Sequence, residues 1–101
     1  MNLDLNYEGF EEFMMVRKEH IMDGVQYLFR FDNEYGASVI KARGTYGYEQ
    51  DLWELAVLTW NKSNNGEWDY DLNYNTSITS NVLGWLTDQE IREYLQQIKD
   101  L

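Results

Sequence analysis

The run Leu52-Trp53-Glu54-Leu55-Ala56-Val57-Leu58-Thr59-Trp60 is apolar on both faces apart from Glu54. A strand covered on both sides looks like this, because neither its odd nor its even positions can face water. A short buried helix has the same signature, and periodicity alone leaves both open. Upstream, Val25, Tyr27, Phe29 and Phe31 alternate with Gln26, Arg30 and Asp32, with Leu28 among the latter, the period of an extended chain. Asp32-Asn33-Glu34-Tyr35-Gly36 supplies turn residues, and Ala37 to Arg43 reads as the next strand. Gly44 to Tyr48 reads as a loop. Downstream, Asn61 to Gly66 ends in Asn-Gly, a hairpin signal. Trp68, Tyr70, Leu72 and Tyr74 then alternate with Asp69, Asp71 and Asn73, which predicts a strand with a wet acidic face.

Helical spacing is expected at both ends. Tyr7, Phe10, Phe13, Met14 and Arg17 recur at three- and four-residue steps within Asn6 to Glu19, with Asn6 or Asp4 as the cap. Gly9 weakens that helix. Near the other end, Thr87-Asp88-Gln89-Glu90 fits a capping box, followed by the stripe Ile91, Tyr94, Leu95, Ile98 and Leu101. Val82 to Leu86 reads as a short helical turn. The expected fold is α+β: an antiparallel three- to four-stranded meander sheet flanked by an N-terminal and a C-terminal helix. The chain has no proline and no low-complexity linker. One domain is therefore expected over residues 1–101, with a helical extension at 1–20, the sheet at 24–74 and a helical tail at 80–101. Helices on one sheet face leave the other partly exposed.

Composition then excludes classes of function. At 44% hydrophobic and 16% aromatic residues, the chain is too apolar for a disordered tail. Eighteen Asp and Glu against 8 Lys and Arg give a net charge of −10, which argues against direct binding of nucleic acid or an anionic membrane. With no cysteine, disulfide scaffolds, thiol enzymes and cysteine-based metal sites are ruled out.

Catalytic patterns are sparse. His20 is the sole histidine and reads as a solvated side chain rather than a general base. Asp69-Tyr70-Asp71-Leu72-Asn73 opens like a calcium loop, but Tyr74 and Ser80 stand where that loop needs Gly and Glu. Glu49, Asp51, Glu54 and Glu67 lie among Trp53, Trp60 and Trp68, the ingredients of a glycosidase without a marker of a sheltered pair. Gly36, Gly44 and Gly47 are too far apart for a phosphate-binding loop. No enzymatic activity, cofactor or metal is expected.

The segments Tyr35-Gly36-Ala37-Ser38-Val39-Ile40, Gly44-Thr45-Tyr46-Gly47, Leu52 to Leu58 and Ile78 to Thr87 resemble a group of short acidic proteins encoded by phages and prophages of low-GC Gram-positive bacteria. The resemblance covers about residues 35–100, and residues 1–20 are peculiar to this chain. It implies an accessory phage protein in the host cytoplasm, a setting in which inhibitors of host defence are common. It carries over no active-site residue.

In that setting the acidity suggests mimicry of DNA, with carboxylates filling the basic groove of a host nucleic-acid-binding protein such as a CRISPR effector or restriction nuclease. Candidate contacts are Glu8, Glu11 and Glu12 on the first helix, Asp69 and Asp71 on the last strand, and Asp88, Glu90 and Glu93 on the final helix. Tyr46, Tyr48 and Tyr70 are candidate aromatic anchors. Acidity for solubility alone is the plainer reading. The alternative function is a structural or assembly protein of a phage, acting through an aromatic sheet face, with a homodimer as one form of it.

Overall fold

A computed structural model describes residues 1–101. It has six strands, β1 (Met14–Ile21), β2 (Gly24–Arg30), β3 (Tyr35–Lys41), β4 (Trp53–Lys62), β5 (Trp68–Leu72) and β6 (Leu83–Leu86), followed by one helix, α1 (Asp88–Lys99). All pairings are antiparallel, in the order β1-β2-β3-β4-β5, with β6 also on β4. The fold is α+β, with a curled antiparallel sheet and a C-terminal helix.

The doubly apolar run is the central strand. β4 pairs with β3 on one side, while β6 and β5 share its other side. β6 lies against Trp53 and Leu55, and β5 against Leu58 to Lys62. The two short strands thus run end to end along one edge of β4, with residues 74–82 looped out between them.

The N-terminal helix expected over Asn6 to Glu19 does not form. Tyr7, Phe10 and Phe13 are three residues apart, a spacing that a 3-10 turn satisfies as well as an α-helix. The backbone takes the tighter form: Phe10 N–H donates to the Tyr7 carbonyl at 2.9 Å and Phe13 N–H to the Phe10 carbonyl at 3.0 Å. Gly9 adopts a φ of 95°, outside any right-handed helix. Phe10 and Phe13 are thereby buried against Phe31, and Tyr7 packs on Tyr27 and Phe29. From Met14 the chain is a strand, because β2 offers it a hydrogen-bonding edge from Phe29 to Gly24.

The helical turn expected at Val82 to Leu86 is strand β6. Without it the first half of β4 would leave backbone groups unpaired beside the core, a costly arrangement. Gly84 also lets the loop at Tyr46 lie against β6, since a Cβ there would lie 2.4 Å from Cβ of Tyr46. The sheet therefore has six strands rather than three or four, begins at residue 14 rather than 24, and continues into the expected helical tail.

The capping box forms as expected, with the Thr87 hydroxyl accepting from Glu90 N–H and the Glu90 carboxylate accepting from Thr87 N–H. From the apolar stripe, Ile91, Leu95 and Ile98 are fully buried, while Tyr94 is half-buried and Leu101 exposed. The helix covers one sheet face over β3, β4 and β6. There it packs in a core with Tyr27, Phe29, Phe31, Val39, Trp53, Leu55 and Val57.

On the opposite, open face only Leu28, Leu58 and Trp60 are buried together. Trp60 spans two strands there. Its indole N–H donates to the Phe29 carbonyl at 2.8 Å, and the ring lies over Gly36, where a Cβ would come 2.4 Å from Nε1. Any side chain at Gly36 would displace it.

Candidate interaction surface

The expected acidic contacts fall into two sets. Glu8 is exposed in a turn, and Glu11 and Glu12 are exposed in the single 3-10 turn Glu11–Phe13 before β1 rather than on an α-helix. The N-terminal chain is tied to α1, since Asn6 N–H donates to Asp88 Oδ2 at 2.9 Å and Arg92 donates to the Asn6 carbonyl at 2.9 Å. This brings the first acids to the same side of the molecule as Asp88, Glu90 and Glu93. Asp69 and Asp71 form the second set, exposed on β5. By register they face the same side of the sheet as α1, since their partners Asn61 and Thr59 alternate with Trp60 and Leu58 of the open face.

Several of these carboxylates already have work in the fold. Asp88 is half-buried and accepts from the Trp53 indole at 2.7 Å as well as from Asn6, so it ties the helix start to the central strand. Glu90 closes the capping box, and Glu11 accepts from Gly9 N–H at 2.7 Å. Glu93 accepts only from Gln89, at 3.4 Å. The side chains of Glu8, Glu12, Asp69 and Asp71 make no hydrogen bond or ion pair within the chain. Only four of the 18 acidic residues, Asp4, Glu19, Asp23 and Asp51, have a cation within 4.0 Å.

Asp51 is the most constrained acid. The ammonium of Lys41, buried in the sheet, donates to Asp51 Oδ1 at 2.8 Å and to the Asn2 carbonyl at 2.7 Å, and lies 4.3 Å from the Trp53 ring centre. The hydrogen bond from Lys41 holds the Asp51 carboxyl below its ordinary pKa, against a smaller opposing effect of desolvation. On β1, the hydrogen bond to the Tyr27 hydroxyl, with a second to Glu19, raises the pKa of Arg17. His20 is exposed, as expected, with a φ of 61° at the irregularity near the end of β1. Among the paired-carboxylate ingredients, Asp51 is committed to Lys41, and Glu54 accepts from Tyr46 N–H at 3.1 Å.

Aromatic side chains populate the open side. Trp68, Tyr70 and Leu72 are 38%, 37% and 53% exposed, so both faces of β5 are wet rather than the acidic one alone. The acidic side is wet because α1 covers β3, β4 and β6 and stops short of β5, and the aromatic side is wet because it lies on the face opposite α1. Tyr70 leans on Trp60 with ring centres 5.1 Å apart. Arg30 lies 4.2 Å and Lys62 5.5 Å from the Trp68 ring centre, and Lys18 lies 5.8 Å from that of Tyr70. These three cations have no carboxylate within 4.0 Å, despite the excess of acids in the chain.

Tyr46 is exposed and stacks on Trp85 at 5.3 Å with ring planes 20° apart, whereas Tyr48 is half-buried. Trp85 is a bulky residue in left-handed backbone, φ 55°, a conformation that costs free energy unless its surroundings hold it. The exposure of Trp85 escaped the sequence reading, and that of Trp68 and Leu72 was expected only under the alternative of an exposed aromatic sheet face. The usable signal was the basic residues Arg30 and Lys62 on the face shared with Trp68, visible only once the register is known. Compared with known proteins, the chain matches no family model, no curated protein and no solved structure.

Proposed function

We propose that the chain is a non-enzymatic binding protein that fills the basic groove of a nucleic-acid-binding protein, its carboxylates standing in for phosphates. The proposed setting is the one that the phage resemblance implies: the host cytoplasm, with a defence protein such as a CRISPR effector or restriction nuclease as the partner. The observation that carries this reading is the scarcity of internal ion pairs, which leaves most carboxylates uncompensated at the surface. Duplex DNA presents about one charge per 1.7 Å of helix axis, and a protein that grips it neutralises a number of those phosphates with Lys and Arg. An exposed carboxylate array is attracted to such a groove at long range. Glu8, Glu12, Asp69 and Asp71 are the contacts best placed for it, because neither the fold nor an internal cation uses them. Competition decides the matter. Purified basic DNA-binding proteins of the host, offered the chain and duplex DNA together, should bind one or the other and release the chain as salt rises. Simultaneous binding of both would refute mimicry.

A second reading is favoured by the exposed row Trp68, Tyr70 and Leu72: an assembly protein that pairs through its open sheet face. It calls for a dimer in sedimentation that persists at high salt, because apolar contacts are not screened.

A further inference from the structure

We infer that the free edge of β5 receives an extended strand of the partner in which basic and apolar residues alternate. This rests on the proposed basic partner and specifies how it is held. Asn73 N–H donates to the Val57 carbonyl and Ser63 N–H to the Glu67 carbonyl. The antiparallel pattern alternates, so the backbone groups of Asp69 and Asp71 also point into the ladder with β4. Those of Trp68, Tyr70 and Leu72 point outward, and β5 has no other neighbour. No loop or side chain bonds to them.

β1, at the other end of the sheet, also has an open edge, but register shifts between Met14 and Val16 and between Glu19 and Ile21 interrupt it. Bulges of this kind discourage pairing. β5 pairs in unbroken register with β4 and is wet on both faces.

Charge selects the occupant. A strand added beside β5 places alternate side chains next to Asp69 and Asp71 on one face and next to Trp68, Tyr70 and Leu72 on the other. Lysine or arginine suits the first face. The second carries Lys18, Arg30 and Lys62 over its aromatic rings, so it repels a uniformly basic strand and favours an apolar residue at every other position. A second copy is disfavoured: antiparallel pairing of β5 with itself about Tyr70 sets Asp69 of each chain against Asp71 of the other, and like charges directly opposite destabilise a sheet.

The test uses the whole chain with three capped peptides: alternating Lys and Val, the same residues in two blocks, and alternating Glu and Val. Titration is read by tryptophan fluorescence and by amide hydrogen exchange. The alternating basic peptide should bind best and slow exchange at Trp68, Tyr70 and Leu72. Tyr70→Pro removes an outward donor that the β4 ladder does not use, so far-UV circular dichroism and a cooperative urea transition should show the fold retained. Its affinity for the alternating peptide should drop more than about tenfold, the equivalent of about 1.4 kcal/mol. Asp69→Asn with Asp71→Asn should weaken binding by a similar factor and leave the block peptide little changed. Equal binding of block and alternating peptides, both indifferent to Tyr70→Pro, would overturn the strand mode while leaving a charge-driven partner intact. Binding of neither basic peptide, or protection of β5 by self-association alone, would overturn it too, and the competition with DNA would then judge the broader reading by itself.

Discussion

The two faces of the sheet both carry aromatic residues and put them to opposite uses. Under α1, Tyr27, Phe29, Phe31 and Trp53 are sealed with Ile91, Leu95 and Ile98. On the open face, Trp60 is buried while Trp68 and Tyr70 stay in contact with water and hold cations over their rings. Burial of apolar area is what stabilises a small domain, so the covered face holds the fold. Exposed aromatics flanked by unpaired charges contribute little to folding and are typical of surfaces that meet a partner. The same residue types therefore predict different losses when they are removed.

The largest effect is expected in the covered core. Trp53→Ala removes a fully buried indole and the anchor for Asp88, and should cost about 3–5 kcal/mol in urea unfolding. If Trp68→Ala cost as much, the contrast between the faces would fail; it should change stability by less than about 0.5 kcal/mol while weakening the complex. Between these lies the helix start. Thr87→Ala removes a hydroxyl acceptor from the capping box and should lower stability by about 1 kcal/mol, measured in the same way.

Asp51→Asn tests the pinned lysine. The folded carboxyl has a depressed pKa, so its contribution to stability is present above its unfolded value and is lost as pH falls through the folded one. The wild type should lose stability below about pH 4. The variant should start from a lower thermal midpoint and show a shallower acid limb.

Much of this fold was legible because local and tertiary preferences agree in its middle and at its end. β2 and β3 alternate or lie between clear turns, and Thr87 with Glu90 marks the helix start whatever surrounds it. Residues 7–13 were ambiguous because a three-residue spacing of Tyr7, Phe10 and Phe13 serves a 3-10 turn and an α-helix equally. β1 and β6 are strands by pairing: β1 alternates poorly, and β6 is four residues long. The candidate surface was only partly readable for the same reason. The acids are visible by composition, yet Asp88 differs from Asp69 only in that the fold brings Trp53 and Asn6 to it. That β5 lies at an edge beyond the reach of α1 is a property of sheet order, which no local pattern records.

The rate of association with a purified, competing DNA-binding protein, followed against ionic strength, probes the acidic surface most directly. It should fall about tenfold or more between dilute and physiological salt. Asp69→Asn with Asp71→Asn should slow it at low salt while the urea midpoint stays unchanged. A rate indifferent to both salt and these substitutions would contradict the assignment of binding to the carboxylates.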